Sequence, residues 1–349
     1  MKFRAISALL VGVLLTLGTN LRAQEDLTDA SGYMDAINNR YDGVSEDMMS
    51  YVSAAAHSRR ARKIEKKRKE VMYTMFQAMR MIKRLPDFEG DGTYRDAVVK
   101  CLETNYNALN EDYEEIVNME EVAQESYDAM EAYLKLKEKV DQKIDEAQLA
   151  LKEAQREFAT ANDIRLIESS DKLSDKIKAS NRVVTYNNEV YLTFFKSYIE
   201  EKYLLDAIQA GDLSAMEQRK NALKKFSEEG IVKLREIDGF DGDRSLINAC
   251  GFLLRFYIDE ADNEVPKFED FYLKKEQFEK IKAAVEAKRS SDRTQEDIDL
   301  YNNSLKEYNA MIDVFNNANS ATFKKRSGLI DDYNKAQSKF VDKHTPRYK

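Results

Sequence analysis

Apolar positions along this chain recur at steps of three and four, the period of an α-helix that buries one face. Met34, Ile37, Tyr41, Val44, Met48, Tyr51 and Ala55 mark one such stripe and predict a helix from about Thr28 to His57. Ile64, Val71, Met75, Met79 and Ile82 continue at helical spacing until Pro86, which pushes the residue before it out of the helical region. These two stretches are expected to be antiparallel neighbours or one kinked helix. From Thr93 the pattern runs through Ala97, Cys101, Leu102, Leu109, Tyr113 and Ile116, and a new long helix is expected near Met119. Within it Val140, Ile144, Ala147, Leu151, Ala154, Phe158 and Ala161 alternate steps of four and three, the seam of a coiled coil or bundle helix. Leu173, Ile177, Val184, Tyr191, Phe194, Tyr198 and Leu205 trace a stripe up to Gly211, a helix of about forty residues and about 60 Å. Ile298, Tyr301, Leu305, Tyr308, Ile312 and Phe315 form a second seam, after an interruption at Ser290, Ser291 and Asp292 and a restart at Thr294, where Asp297 closes a capping box. A last helix is expected from Ser320 to His344, ahead of a basic tail at Pro346, Arg347, Tyr348 and Lys349.

A turn organises these helices, and it occurs twice. Leu85, Pro86, Asp87, Phe88, Glu89, Gly90 and Asp91 recur as Ile237, Asp238, Gly239, Phe240, Asp241, Gly242 and Asp243, with Phe88 and Phe240 152 residues apart. The same shift lays Glu65 on Glu217, Val71 on Leu223, Ile82 on Leu234, Ala97 on Ala249 and Leu102 on Leu254. Gly90 and Gly92 supply backbone freedom, Thr93 with Asp96 reads as a capping box mirrored by Ser245 with Asn248, and Phe88 and Phe240 are expected to plug the bundle ends. The predicted fold is all-α: two tandemly duplicated antiparallel helical bundles joined by a long shared helix, elongated, with copy 1 over 24–168 and copy 2 over 169–349. Three Pro and twelve Gly, with a third of residues charged, suit long helices.

The first residues change the expected address. Lys2 and Arg4 precede an apolar run from Ala5 to Leu17, and Ala23 stands ahead of Gln24, the pattern of a secretory signal peptide over 1–23. Neither Cys101 nor Cys250 lies near that cut, so the chain is not expected to be a lipoprotein. Losing Lys2, Arg4 and Arg22 leaves 52 basic against 63 acidic residues and moves the net charge from -8 to -11. An acidic chain of this kind is not expected to bind nucleic acid. No later apolar run is long enough for a membrane span. The expected location is extracytoplasmic, periplasmic or at the cell surface.

Candidate chemistry is thin. Asp87, Glu89, Asp91 and Gly92 imitate the opening of an EF-hand loop, but Val98 stands where the bidentate Glu is needed, and Gly239 replaces the first ligand in the second turn. His57 and His344 lack the partners of a zinc motif, and Arg60 stands where the His-x-x-Glu signature of imelysin-like proteins needs Glu. Met72, Met75, Met79 and Met81 read as flexible core filling rather than Cu(I) ligands, because most lie on the apolar stripe. Neither a nucleophile elbow nor a Cys with a His partner is present. The acidic run of Glu111, Asp112, Glu114, Glu115, Glu120 and Glu121 reads as a solvated helix face. No cofactor, metal or catalysis is expected, and Cys101 and Cys250 are expected as separate, buried thiols. Nineteen Tyr without Trp suit rings buried with hydroxyls near water.

One segment stands out from this background. Between Arg59 and Lys69, eight of eleven residues are basic (Arg59, Arg60, Arg62, Lys63, Lys66, Lys67, Arg68, Lys69), whereas Gly211 to Asn221 has two. Ser214 and Glu217 give the second copy an ordinary helix start, while in the first the cations crowd a helix start that disfavours them. The segment is therefore a candidate partner surface for an anionic envelope polymer, lipid headgroups or an acidic protein; the alternative is that the first helix runs straight through His57, which removes the objection, and that the charges are an ordinary solvated face. The stretch Ser53, Ala54, Ala55, Ala56, His57, Ser58, Arg59, Arg60, Ala61, Arg62, Lys63, with Asn110, Glu111, Asp112, Tyr113 and Phe194, Phe195, Lys196, resembles an uncharacterised leptospiral-type surface protein family. That resemblance implies signal-bearing helical proteins outside the cytoplasm and supplies no activity or site residues. The expected function is an extracytoplasmic helical interaction or scaffold protein of the bacterial envelope. The alternative is a small-ligand binder with a pocket between the copies.

Overall fold

The computed structural model describes residues 27–57, 60–112, 127–166 and 172–348. The signal peptide and its cut after Ala23, together with Arg59, Tyr113, Ile116 and Met119 and the acidic-run residues Glu114, Glu115, Glu120 and Glu121, lie outside the described residues. Among the described residues the apolar stripes become nine α-helices: α1 (Ala30–His57), α2 (Ala61–Ile82), α3 (Thr93–Asn107), α4 (Tyr127–Ala161), α5 (Lys172–Ala210), α6 (Leu213–Glu236), α7 (Ser245–Asp259), α8 (Val265–Glu286) and α9 (Gln295–His344). Two five-residue π turns, Ala108–Asp112 and Glu260–Glu264, follow α3 and α7. The fold class is all-α, as the periodicity predicts. None of the described helices is long and apolar enough to cross a membrane.

The chain divides into two compact units, Met1–Asn188 with Lys339–Lys349, and Glu189–Ser338. This division differs from the expected 24–168 and 169–349. The change of unit falls inside α5, and the last eleven residues belong to the first unit. The tail gives the reason. Tyr348 N donates to Ser53 Oγ at 3.1 Å, and Asp342 at the end of α9 meets His57 Nδ1 at 2.8 Å and Arg347 Nη2 at 2.6 Å.

In the first unit α1 and α2 run antiparallel, since Thr74 Oγ1 donates to Asp47 Oδ2 at 2.6 Å and Tyr33 Oη donates to Pro86 O at 2.9 Å. The turn after α2 has Glu89 at φ 51° and Gly90 at φ 87°, the type I′ combination, closed by Phe88 N to Asp91 O at 3.0 Å and Asp91 N to Phe88 O at 2.9 Å. It presents Phe88 to Tyr33 and Phe158, with ring centroids 5.3 and 5.5 Å away. The expected Thr93–Asp96 capping box does not form. Asp91 caps instead, its Oδ1 accepting from Thr93 N at 2.8 Å, because Arg95 Nε draws Asp96 away at 2.8 Å. Gly92 is at φ -99°, so its role is not conformational freedom; a Cβ there would meet Arg95 Nη2 at 2.5 Å and Asp87 Oδ1 at 2.7 Å. Most of the α4 seam is buried from Val140 to Phe158.

The second unit repeats these local features at the same 152-residue interval. Asp241 and Gly242 take φ 47° and 85°, Phe240 pairs with Asp243, and Ser245 N donates to Asp243 Oδ1 at 2.8 Å. Like α3, α7 has 15 residues before its π turn. α5 ends where Gly211, at φ 70°, donates to Ile208 O at 3.2 Å and Asp212 donates to Ala207 O at 3.1 Å, a Schellman ending. α6 starts on Asp212, whose Oδ1 accepts from Ala215 N at 3.0 Å, rather than on the expected Ser214 and Glu217, because Lys220 takes Glu217. The expected box at Thr294 and Asp297 forms in both directions, at 3.0 and 3.2 Å. α9 then continues unbroken past Ser320, where a separate helix was expected, because Asn316 to Ala321 holds neither Gly nor Pro. Phe194 of α5 packs against Tyr257 of α7 and Tyr333 of α9, with centroids 6.1 and 5.3 Å away. Tyr257 and Tyr333 are buried to the hydroxyl, deeper than rings that keep their tips in water.

Candidate interaction surface

α2 carries two faces, and the helical period assigns the cations between them. Its inward face steps through Ile64, Arg68, Val71, Met75, Met79 and Ile82, of which all but Ile64 are buried. Arg68 falls on that face by phase. Its Nε and Nη2 donate to the two Glu65 oxygens at 2.9 Å each, and Nη1 donates to Leu109 O in the π turn. Hydrogen bonding from Arg68 holds the Glu65 carboxyl below its usual range, and Lys67 does the same for Glu70. Arg68 is thus a staple of the first unit and not part of a partner surface. The sequence count of eight cations did not separate it from its neighbours, although its place in the 64, 68, 71 step is the signal that does.

The outward cations are Arg60, Arg62, Lys63, Lys66 and Lys69, with Lys67 half-buried. Lys66 and Lys67 reach Glu70 at 3.6 and 2.7 Å, and Lys69 reaches Glu65 at 3.5 Å. Such exposed pairs hold by about 0–1 kcal/mol each, too little to commit these side chains against a stronger anion. Arg60 sits at the N-cap in extended conformation and makes no side-chain cap.

Tyr73 and Phe76 extend this face. They are 66% and 48% exposed, and positions 62, 66, 69, 73 and 76 again step four, three, four, three. Two shallow depressions adjoin along it. One of about 490 Å³ is lined by Arg62, Glu65, Lys66, Lys69, Glu70 and Tyr73; one of about 340 Å³ is lined by Lys69, Met72, Tyr73, Phe76 and Tyr106 of α3. Lys69 and Tyr73 belong to both, so a cationic half runs into an aromatic half. At 1.5 Å per residue, Arg62 to Phe76 covers about 21 Å.

The second unit shows what this position requires structurally. At the 152-residue shift the five residues become Ser214, Gln218, Asn221, Lys225 and Glu228, all exposed. The fold therefore accepts an ordinary polar face here. The aromatic half gives no charge signal in the sequence; only the 62, 66, 69, 73, 76 step puts Tyr73 and Phe76 on the face of the cations.

The other candidates are occupied by structural contacts. Asp87 of the acidic turn pairs with Arg95 at 2.6 Å, and His57 with Asp342. Met75 and Met79 are buried core, while Met81 is 44% exposed. Phe88 and Phe240 are buried, and Gly90, Asp91, Gly242 and Asp243 form and cap the two turns. Cys101 and Cys250 are free, buried thiols. Burial pushes Cys101 up to about 12, and Gln148 Nε2 donates to its Sγ at 3.1 Å; burial raises Cys250 as well. No protein-family model, curated protein or solved structure matches this chain.

Proposed function

We propose that this chain is a non-enzymatic helical interaction protein of the bacterial envelope, exported by the 1–23 leader, and that it contacts an anionic partner through the outward face of α2. The resemblance to leptospiral-type surface proteins and the leader pattern support the location. The observation that carries the contact is the stripe of Arg62, Lys66, Lys69, Tyr73 and Phe76, which the equivalent face of α6 lacks.

The two halves narrow the partner. Cations alone serve any polyanion, and binding of that kind weakens steeply with salt. Exposed aromatic rings beside them add contact area that water does not favour, so the partner also presents apolar or ring surface. An acidic protein segment with an apolar side, or an acidic glycan whose sugar faces stack on rings, has that chemistry.

The test is retention of the mature protein on isolated envelope fractions at low and high salt. Arg62→Gln with Lys66→Gln and Lys69→Gln is expected to cut low-salt retention, and Tyr73→Ser with Phe76→Ser to cut the part that survives salt. Unchanged retention in both variants, with unchanged melting temperature, would return the face to ordinary solvated surface.

A further inference from the structure

Charged side chains in the second unit's core remain unused by this reading. Glu201 on α5, Glu260 at the first position of the π turn and Arg326 on α9 are 2%, 0% and 9% exposed. Arg326 Nε donates to Glu201 Oε1 and its Nη2 to Glu260 Oε1, so one guanidinium serves two carboxyls. Glu260 Oε2 is buried and, among the described residues, takes no hydrogen bond from a donor.

Among the described residues, the cations around this cluster are taken by other carboxylates. Asp259 pairs with Lys325 at 2.8 Å, Asp262 with Lys224 of α6 at 2.8 Å, and Glu264 with Lys267 of α8 at 2.9 Å. Tyr198 of α5 and Tyr257 of α7 also interact with Glu201 and bring no cation; burial, with the charge of Glu201, raises both phenols. Two ionised carboxylates on one arginine would leave an uncompensated negative charge out of contact with water, which burial strongly disfavours. A proton removes that charge and makes a donor where one is missing.

We propose that the core of the second unit binds one proton, shared between Glu201 and Glu260, and that this proton gives Glu260 Oε2 its hydrogen bond, to the Glu201 carboxylate. The site works like a carboxyl dyad, in which two like groups side by side do not both ionise. Burial raises both carboxyls, and the charge of Glu201 adds to the push on Glu260, which reaches about 8. The first unit is a built-in control, because the residue equivalent to Glu260 is Ala108, buried and uncharged.

The sign of the pH dependence follows. The folded pair holds a proton that an unfolded glutamate, with a pKa of about 4.3, releases, so its stabilisation is fully present below that value and is lost as pH rises through about 8. Above that pH the strain falls on the Glu260–Glu264 turn between α7 and α8.

The experiment uses the whole mature chain. Infrared difference spectra with carboxyl-labelled glutamate are expected to show one protonated carboxyl at neutral pH that disappears in both Glu260→Gln and Glu201→Gln. Relative to Glu260→Gln, the wild-type unfolding constant is expected to rise about tenfold per pH unit from about 4.3 towards 8. Amide exchange around 257–268 is expected to quicken above that pH while 105–112 does not. Fully ionised carboxyls in the wild type at neutral pH, or parallel stability curves for wild type and variant, would overturn the proposal. The infrared measurement on the wild type stands even where a variant fails to fold.

Discussion

Arg68 and Lys220, 152 residues apart in sequence, hold their helices in the same way: each pairs with the glutamate three positions before it, Glu65 and Glu217, and sends its remaining donors past the following helix to a later element. Arg68 reaches the backbone of Leu109, whereas Lys220 reaches Glu269 of α8 at 3.0 Å. Arginine's planar fork permits three directed bonds where an ammonium offers a point charge. Arg68→Lys is therefore expected to keep a cation beside Glu65 and lose the bond to Leu109 O, costing about 1 kcal/mol. Arg68→Ala is expected to cost about 2 kcal/mol or more, and Arg62→Ala on the outer face less than about 0.5 kcal/mol. Urea unfolding of the three variants checks this, and equal effects of Arg68→Ala and Arg62→Ala would place Arg68 on the surface after all.

Gly90 and Gly242 carry the two turns at φ 87° and 85°. An L side chain in that region costs about 1–2 kcal/mol, although neither position is sterically crowded. Alanine at either position is expected to lower stability by that amount, while Gly92→Ala is expected to cost less and to act instead through the ends of the Arg95 and Asp87 side chains, which can move aside. Thermal unfolding separates the two mechanisms, because trimming Arg95 to Ala relieves only the second.

The two thiols are expected to stay silent in the native protein. Cys101 is raised to about 12 and enclosed by Gln148 and Asn105, and Cys250 faces the Val190 carbonyl at 3.8 Å. A thiol reagent at neutral pH is expected to count no thiols in the folded state and two after denaturation without reductant. Two fast-reacting thiols in the native protein would show that their burial is wrong.

Asp342 ties the tail to the first unit through His57 and Arg347. The hydrogen bond from His57, then that from Arg347, holds its carboxyl below the usual range. A depressed carboxyl contributes above its unfolded pKa of about 3.9 and loses that contribution as pH falls through the folded value. The tail is therefore expected to resist carboxypeptidase down to about pH 4 and to be released below it. Asp342→Asn is expected to free it across the range; equal protection in wild type and variant would mean that the Ser53–Tyr348 bonds suffice.

Local rules in the sequence determined most of the helices. The three–four step, Pro86, the Thr294–Asp297 box and Gly211 act within a few residues, so the stripes, α5 and the break before α9 were legible without partners. The phase of α2 also held the answer for Arg68, since any residue on the 64, 68, 71 step turns inward. What the sequence did not determine was competition between neighbours: Asp91 caps α3 because Arg95 takes Asp96, and Asp212 starts α6 because Lys220 takes Glu217. Only the tertiary structure brought the last residues back to Ser53 and His57, and only it set Glu201, Glu260 and Arg326 together from positions 201, 260 and 326. Helical periodicity is a local property of the chain, whereas shared partners and buried charge depend on which distant side chains desolvate one another.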